Sequence, residues 1–562
     1  MKKNAINNSK IKIIGNVKMD FSYYKGTDLY SDGSVEDIIL EACKNKREDA
    51  LLRQSSDYAV LYHLSDIRHN LIEWFPIDKN ESVLEIGSGC GGVTGALSEK
   101  AGAVTCVELS EKRSLINAYR HCERDNIKIF VGNFQDVEPI LGKFDVITLI
   151  GVWEYSSLYI CNEENPYISI LDIVKRHLTD NGRLFIAIEN KMGLKYWNGA
   201  FEDHTGKQYS GLNDYCDGEK VRTFSKKEIE MLLRNAGFEN LEFHYPMPDY
   251  KLPECVYSDN CLPGPGDIRS FHDNYDAVRF YSFNEAAAFD QICADNMFPY
   301  FSNSFVITTG RESGVDFVKY NRTRKKEYRT VIKILKENDR RVVSREPLYE
   351  DAEKHIESLE TKYKCLKDLS TNVESGELIN GNFVSEYING GLLEHELYSC
   401  RNSADKFISK CREYIEKNIK EYLGRYIPFK NSNDFISTFG IEYPFESKSR
   451  INTNIDLSFS NYKRIEDGNI GVFDYEWCFS FPIPEEYVIW RALHQIYGTY
   501  RMYLKKVISE ETFIGKFDIN CEQSKIFLQM ESGFQQYVYG KANHYQYQYK
   551  KPAFMSNMKG WI

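Results

Sequence analysis

The sequence predicts an α/β fold, a doubly wound parallel sheet, followed by a second domain of the α+β class. Three observations lead there. Short apolar runs alternate with helix-patterned segments from residue 82 to 188, as when parallel strands are joined by crossover helices. The first of these runs, Val83 to Ile86, is followed at once by Gly87, Gly89 and Gly91. Near residue 311 the alternation gives way to paired strand patterns and then long helical stretches. A chain of 562 residues has room for two large domains.

Taken in order, residues 1–55 carry no clear motif and are expected to form an N-terminal extension. Asp57 to Trp74 has mixed helical spacing and reads as one helix, placed either to lid a ligand or to pack on the sheet. Val83, Leu84 and Ile86 read as a buried parallel strand. Glycines at the strand-to-helix turn let a ligand approach where a Cβ would clash. A second apolar run, Ala103 to Val107, ends in Glu108, placed at a strand tip to bind two ribose hydroxyls. The glycine pattern is G-x-G-x-G and not the dinucleotide G-x-G-x-x-G, so glycine alone leaves an NAD site or a plain α/β turn open. Lys112 to Arg124 follows as a helix and Ile127 to Val131 as the third strand, with Gly132, Asn133, Phe134 and Gln135 at its end. Lys143 to Tyr155 supplies the fourth strand and a loop containing Gly151, Trp153, Glu154 and Tyr155. Ligands of open α/β sheets lie beyond the carboxyl ends of the strands, so these loops should line the site. Tyr167 to Leu178 is a helix, Asn181-Gly182 a turn and Arg183 to Ile188 the next strand.

Glu85 before the turn makes the G-x-G-x-G run more specific. It resembles motif I of class I S-adenosylmethionine (SAM) methyltransferases, a Rossmann-like family. The run AIENKMGLKYWNGAFEDHTG (187–206), with GVWEY (151–155), YHLSDIR (62–68), Arg222-Thr223-Phe224 and YPMPDYKLP (245–253), extends the likeness over residues 56–310. It is similar to bacterial SAM-dependent methyltransferases associated with surface-polysaccharide and glycosyltransferase genes, with an acceptor-side insertion at about 190–300. The resemblance implies SAM as cofactor. Glu85, Gly87, Gly89, Gly91, Glu108 and Gly151 would hold it, Phe134 would stack on the adenine, and Asn133 or Asp136 would bond its amine. It also implies a saccharide or lipid-linked glycan acceptor, with glycosyltransferases as partners. A sugar hydroxyl benefits from a general base. His204, Asp203 and Glu202 sit together in the EDH run and are candidates; His204 is the first choice because its ordinary pKa lies near neutrality, and Glu189 is the second. A phosphate acceptor would need no base and would bring Arg222 or Lys195 forward.

In residues 311–562, Tyr328 to Leu335 and Arg341 to Ser344 alternate like paired strands, Asp351 to Leu369 is an amphipathic helix, and Phe383 to Ile388 is a strand. Asp456 and Asn461 have D-x4-N spacing, and Asp474 follows thirteen residues later in GVFDYEW. A carboxylate base, an amide and a second carboxylate can orient an acceptor and hold Mg²⁺ on ATP. This half resembles the kinase-like fold of choline and aminoglycoside type. The resemblance implies Asp456 as catalytic base, Asn461 and Asp474 as Mg²⁺ ligands, and Glu353 as partner of a strand lysine. Departures are plain: Asn454 stands where histidine is usual, no glycine-rich phosphate loop is visible, and the lysine position falls near Ser344 or Arg345, with Lys333 as substitute. The half is therefore expected either to bind or phosphorylate the acceptor, or to be catalytically inactive. In the latter case the chain could be a scaffold of a glycan-assembly complex with a vestigial methyltransferase.

The net charge of −11 argues against nucleic-acid partners. No apolar run reaches the roughly 18–20 residues that span a bilayer. The basic N-terminus lacks the apolar core of a secretory signal. The expectation is a cytoplasmic protein, at most peripheral to a membrane. The 14 cysteines lack C-x-x-C pairing and read as reduced core thiols. The 39 tyrosines suit sugar contacts, though core packing is the commoner use. The last aromatic and basic stretch, FQQYVYGKANHYQYQYKKPAFMSNMKGWI, reads as a solvated tail or docking segment, with contact to a glycan or membrane face as the alternative.

Overall fold

The computed structural model describes residues 10–28, 31–159, 165–268, 275, 277–338, 340–369, 372–465, 468–540 and 548–555. The described residues fall into two compact units. One takes those up to 263, those between 271 and 317, and those beyond 545; the other takes those of 264–270 and 318–544.

The strands of the first unit are β1 (Ile11–Ile14), β2 (Val17–Tyr23), β3 (Ser82–Ile86), β4 (Ala103–Glu108), β5 (Ile127–Gly132), β6 (Phe144–Ile150), β7 (Leu178–Glu189), β8 (Glu242–Met247), β9 (Cys255–Ser258), β10 (Arg279–Tyr281) and β11 (Ser304–Thr308). All but β10 join one sheet in the order β1-β2-β5-β4-β3-β6-β7-β11-β8-β9. Strands β2, β5, β4, β3, β6 and β7 run parallel to one another, with β1 antiparallel to β2. β11, β8 and β9 are antiparallel. β3 and β6 are adjacent with β4 and β7 outside them, so the order reverses between β3 and β6. That is where an open α/β sheet leaves a crevice at its carboxyl end. The apolar runs of β3 to β7 are buried, as a strand covered on both faces requires.

The strands and helices of the alternation stand close to where the pattern puts them, with three differences. The stretch read as one helix from Asp57 to Trp74 is a helix, Tyr58–Leu64, and a 3₁₀ helix, Asp66–Leu71. Ser65 is extended between them, and its hydroxyl caps the second piece by accepting from the Ile67 N–H. The Asn181-Gly182 turn bulges out of β7, where the ladder passes from Phe144–Leu178 to Val146–Arg183. The motif-free N-terminus supplies β1 and β2 to the same sheet and the helix Val35–Lys44. Near the C-terminus, the Tyr549 hydroxyl donates to the Leu52 carbonyl at 2.7 Å and Ala553–Met555 pairs with β10. Residues 548–555 of the aromatic stretch are thus docked on the first unit, whereas Phe534 to Tyr539 end the last helix of the second. The described cysteines are free thiols, and among the described residues no helix is long and apolar enough to cross a membrane.

The second unit begins as a small antiparallel sheet. Thr330–Glu337 pairs with Arg340–Pro347, which pairs with Asn382–Glu386, which pairs with Gly376–Ile379. The helix Glu353–Lys367 and the later helices Ala404–Tyr414, Glu485–Leu504 and Cys521–Tyr539 close an aromatic core. Tyr414, Tyr443, Tyr462, Tyr475, Tyr487 and Tyr500 are buried in it, so many of the tyrosines are structural. Glu476 is buried and bonded to Arg324 (2.5 Å) and His355 (2.7 Å). Burial alone would raise its carboxyl, but these two partners outweigh burial and hold it far below the usual carboxylate range.

A carboxylate with a depressed folded pKa adds stability above its ordinary pKa of 4.5, and that stability is lost as pH falls towards the folded value. Glu476→Gln should therefore cost about 3 kcal/mol at pH 7 and should flatten the fall in stability below pH 4.5, read by urea unfolding across pH. Equal stability of variant and wild type at pH 7 would contradict this assignment.

Candidate active site

Beyond β3 the chain turns through Gly87, Ser88 and Gly89. The Gly87 N–H donates to the Val107 carbonyl at 2.8 Å, and the Gly89 N–H donates to the Glu108 carboxylate at 2.8 Å. The second Glu108 oxygen accepts from the Ser110 N–H at 2.9 Å. Ser110 in turn caps the helix Glu111–Arg120. The turn is thus fastened to the end of β4, and it borders a cavity of about 380 Å³ at the carboxyl ends of the parallel strands. Glu85, Gly87, Gly89, Glu108, Asn133, Phe134 and Gly151 all line it. Nothing stands within 4 Å of where a Gly89 Cβ would lie, so this position faces open space.

Gly91, expected to hold the cofactor, has a different part. Its φ is +77°, and a Cβ there would meet the Asn117 amide oxygen at 2.4 Å. Asn117 donates to Thr94 (3.1 Å), whose hydroxyl donates to Glu85 (2.6 Å). Gly91 therefore makes room for the side chains that hold Glu85. Burial raises the Glu85 carboxyl to about 7 against the bonds from Thr94 and Cys106. Asp136 forms an ion pair with Lys25 at 2.6 Å and does not line the cavity. Asn133 caps the short helix Phe134–Val137 through its side-chain oxygen.

The helix Tyr58–Leu64 lids the cavity with Tyr58, Ala59, Tyr62 and His63. Two residues of this wall, buried Arg68 and the more exposed Asp32, were not singled out by sequence reasoning. Arg68 lines the cavity and donates to the Lys251 carbonyl at 2.9 Å. Asp32 lines it too, bonded to His63 (2.6 Å) and Arg113 (2.7 Å). Arg68 lay in the YHLSDIR run; Asp32 had no signal, because only the fold brings it to His63 and Arg113.

The opposite wall holds the acid–base candidates. Glu189 ends β7, and one of its oxygens meets Lys251 (3.0 Å) and the Tyr250 hydroxyl (3.2 Å). The other lies 3.4 Å from His204 Nε2. His204 Nδ1 is 2.9 Å from the Tyr155 hydroxyl. Burial opposes the imidazolium, but Glu189, Glu154 and Glu202 outweigh it and push the His204 pKa up to about 9. The near-neutral value expected of it is therefore not its value here. In the ligand-free cavity at pH 7 His204 is cationic, and it becomes a base only after that proton is displaced. Asp203 is held by Lys195 (3.1 Å), Lys251 and Tyr196, and despite its burial these lysines keep it well below the usual range. It braces the wall as a fixed anion. Glu202 accepts from the His204 and Thr205 N–H groups and shapes the loop. Trp153 is buried with its indole N–H on the Tyr167 carbonyl and does not reach the cavity, whereas Glu154 and Tyr155 do. Lys195 and Arg222 lie outside the cavity lining, the latter paired with Asp214 at 2.6 Å.

In the second unit the residues expected to handle ATP meet protein neighbours. Asp456 is bonded to Arg491 at 2.5 Å. The Asn461 amide donates to the Asp456 carbonyl and Asp474 accepts from the Glu476 N–H. Lys333 pairs with Glu346 at 2.7 Å, and Glu353 is exposed at the start of its helix. Arg345, at the expected lysine register, spends its guanidinium on Glu374, Ser385 and the Phe473 carbonyl.

Residues 58–242 match a family model described as a methyltransferase domain. A comparison with curated proteins returns no match. Among solved structures, a methyltransferase–activator complex from Haloferax volcanii is 14% identical, covering 48% of this chain and 96% of that one, with a TM-score of 0.29. A SAM-dependent methyltransferase from Thermotoga maritima is 17% identical, covering 49% and 100%, with a TM-score of 0.26. A phosphoethanolamine N-methyltransferase from Haemonchus contortus is 15% identical, covering 50% and 51%, with a TM-score of 0.28. The family match thus places the likeness to a methyltransferase domain at residues 58–242.

The two glycines separate in a melt. Gly89→Ala, with φ +53° but open space around it, should cost about 1 kcal/mol. Gly91→Ala adds a steric overlap and should cost about 3 kcal/mol. Equal losses in thermal denaturation would contradict the different parts given to them.

Proposed function

We propose that the cavity binds SAM and that the chain transfers its methyl group to a hydroxyl of a saccharide or lipid-linked glycan. The observation that carries the cofactor reading is the pairing of the Gly89 turn with Glu108. Both Glu108 oxygens are oriented by backbone N–H groups at a strand tip beside an open glycine, which suits a ribose diol. Phe134 lines the cavity and would stack on the adenine, while Glu85 and Arg68, also in the lining, would receive the amino-acid end. Arg68 supplies the positive charge that an amino-acid carboxylate seeks.

The acceptor reading rests on the wall made by Glu154, Tyr155, Glu189 and His204 together with Tyr62 and Tyr250. Tyrosine rings with polar tips and carboxylates are what a polyhydroxylated acceptor needs. Neither Lys195 nor Arg222, the cations expected to meet a phosphate acceptor, reaches the cavity. Methyl transfer is an in-line displacement, and holding donor and acceptor in line supplies most of its rate. His204 lines this wall and, cationic before a ligand binds, can serve the acceptor hydroxyl only once its own proton has been displaced. For the second unit we infer a recognition or docking part without phosphotransfer, because Asp456 is neutralised by Arg491 and no lysine stands at the phosphate-gripping register.

Calorimetric titration tests the cofactor site. Glu108→Ala should weaken SAM binding by about 2 kcal/mol, roughly 30-fold, and should also lower the melting temperature, because the Gly89 and Ser110 N–H groups lose their acceptor. Label from methyl-tritiated SAM should pass to glycan-lipid extracts and not to bulk RNA. Absence of SAM binding at millimolar concentration would overturn the reading.

A further inference from the structure

Three donors on the acceptor wall converge from separate segments, and cofactor binding uses none of them. Glu154 lies in the one-turn helix Trp153–Tyr155 after β6, Glu189 is the last residue of β7, and His204 belongs to the loop beyond the helix Leu194–Trp197. His204 Nε2 is 3.4 Å from a Glu189 oxygen and 3.8 Å from a Glu154 oxygen. One ligand atom from each residue lies within 4.8 Å of the other two. Donors at about 2.1 Å from a tetrahedral ion stand about 3.4 Å apart, so small side-chain rotations would bring all three onto one ion.

The independent sign of a ligand is Glu154. It is 0% exposed, lines the cavity, and neither of its carboxylate oxygens takes a hydrogen bond. A buried carboxylate without such a partner is costly, and it calls for a cation or donor that arrives with a ligand. The surroundings match those of a metal ligand set. Tyr155 engages His204 Nδ1 and leaves Nε2 to point inward. Lys251 and Tyr250 hold the far oxygen of Glu189, so its near oxygen is fixed in place. Such outer contacts orient first ligands and set the histidine tautomer.

We propose that Glu154, Glu189 and His204 form a divalent-cation site at the acceptor end of the cavity. Two carboxylates and one imidazole suit Mn²⁺ or Zn²⁺. The ligand set leaves positions open for neighbouring hydroxyl oxygens of the acceptor. A cation there would lower the pKa of the hydroxyl it binds, so the proton leaves to solvent and the oxygen attacks the methyl carbon as the sulfonium bond breaks. This use of the ion rests on the methyl-transfer reading; the cation site itself does not.

The test titrates Mn²⁺ into the metal-stripped full chain and follows the loss of the free-ion signal by electron paramagnetic resonance, with Zn²⁺ as competitor. One saturable site per chain is expected, weakened at least about tenfold in Glu154→Gln and again in His204→Gln. Circular dichroism checks that each variant is folded, and where one is not the other decides. No saturable binding of Mn²⁺ or Zn²⁺ by the wild type, or the same affinity in both variants, overturns the proposal. SAM titration of the same metal-stripped sample separates the two readings. Cation bound without SAM would sink the methyl-transfer reading alone, and SAM bound without cation would sink this one alone.

Discussion

The hydrogen bond from the Gly89 N–H to Glu108 joins the two structural requirements of the cavity. It closes the turn after β3 onto the end of β4, and it aims a carboxylate across open space. The rest of that wall follows from it. Ser110 can cap its helix because Glu108 has already fixed the backbone there. Arg113 then reaches Glu36 and Asp32, which ties the N-terminal segment to the same corner. Gly91 is the concession that lets Asn117 and Thr94 reach Glu85 from below.

The opposite wall is governed by charge. Glu154, Glu189 and Glu202 are buried and the side chain of Asp203 is nearly so, and Lys195, Lys251 and His204 answer them. Each cation is shared: Lys251 touches both Glu189 and Asp203, and Lys195 reaches both Asp203 and Asp249. Buried ions contribute little net stability compared with apolar packing, so such a concentration beside a cavity points to use in binding and chemistry. Glu154 stands out as the carboxylate in this wall that accepts no hydrogen bond.

Much of the first unit was readable because its signals are local. A parallel strand is a short apolar run, and the crossover helices carry their own caps, as Asn165 with Pro166 and Ser225 with Glu228 do. Other features depend on partners distant in sequence. Ser65 is no strong breaker, so the division of the Asp57–Trp74 helix was invisible before the fold placed its hydroxyl on Ile67. Gly91 looked like its neighbours until Asn117 lay beneath it. Trp153 shares a run with Glu154 yet turns the other way. The environment also moved His204 away from the neutral pKa that recommended it as a base, and no spacing rule carries that information. In the second unit the D-x4-N and FDYEW spacings are present, but Arg491, Arg345 and Arg324 decide what those acids do.

The most direct test of this account is a crystal structure of the chain with S-adenosylhomocysteine. The account predicts the ribose hydroxyls on Glu108, the adenine against Phe134 and the amino-acid end between Glu85 and Arg68, with the sulfur facing Glu154 and His204. A ligand bound elsewhere, or in this cavity with its ribose away from Glu108, would contradict it.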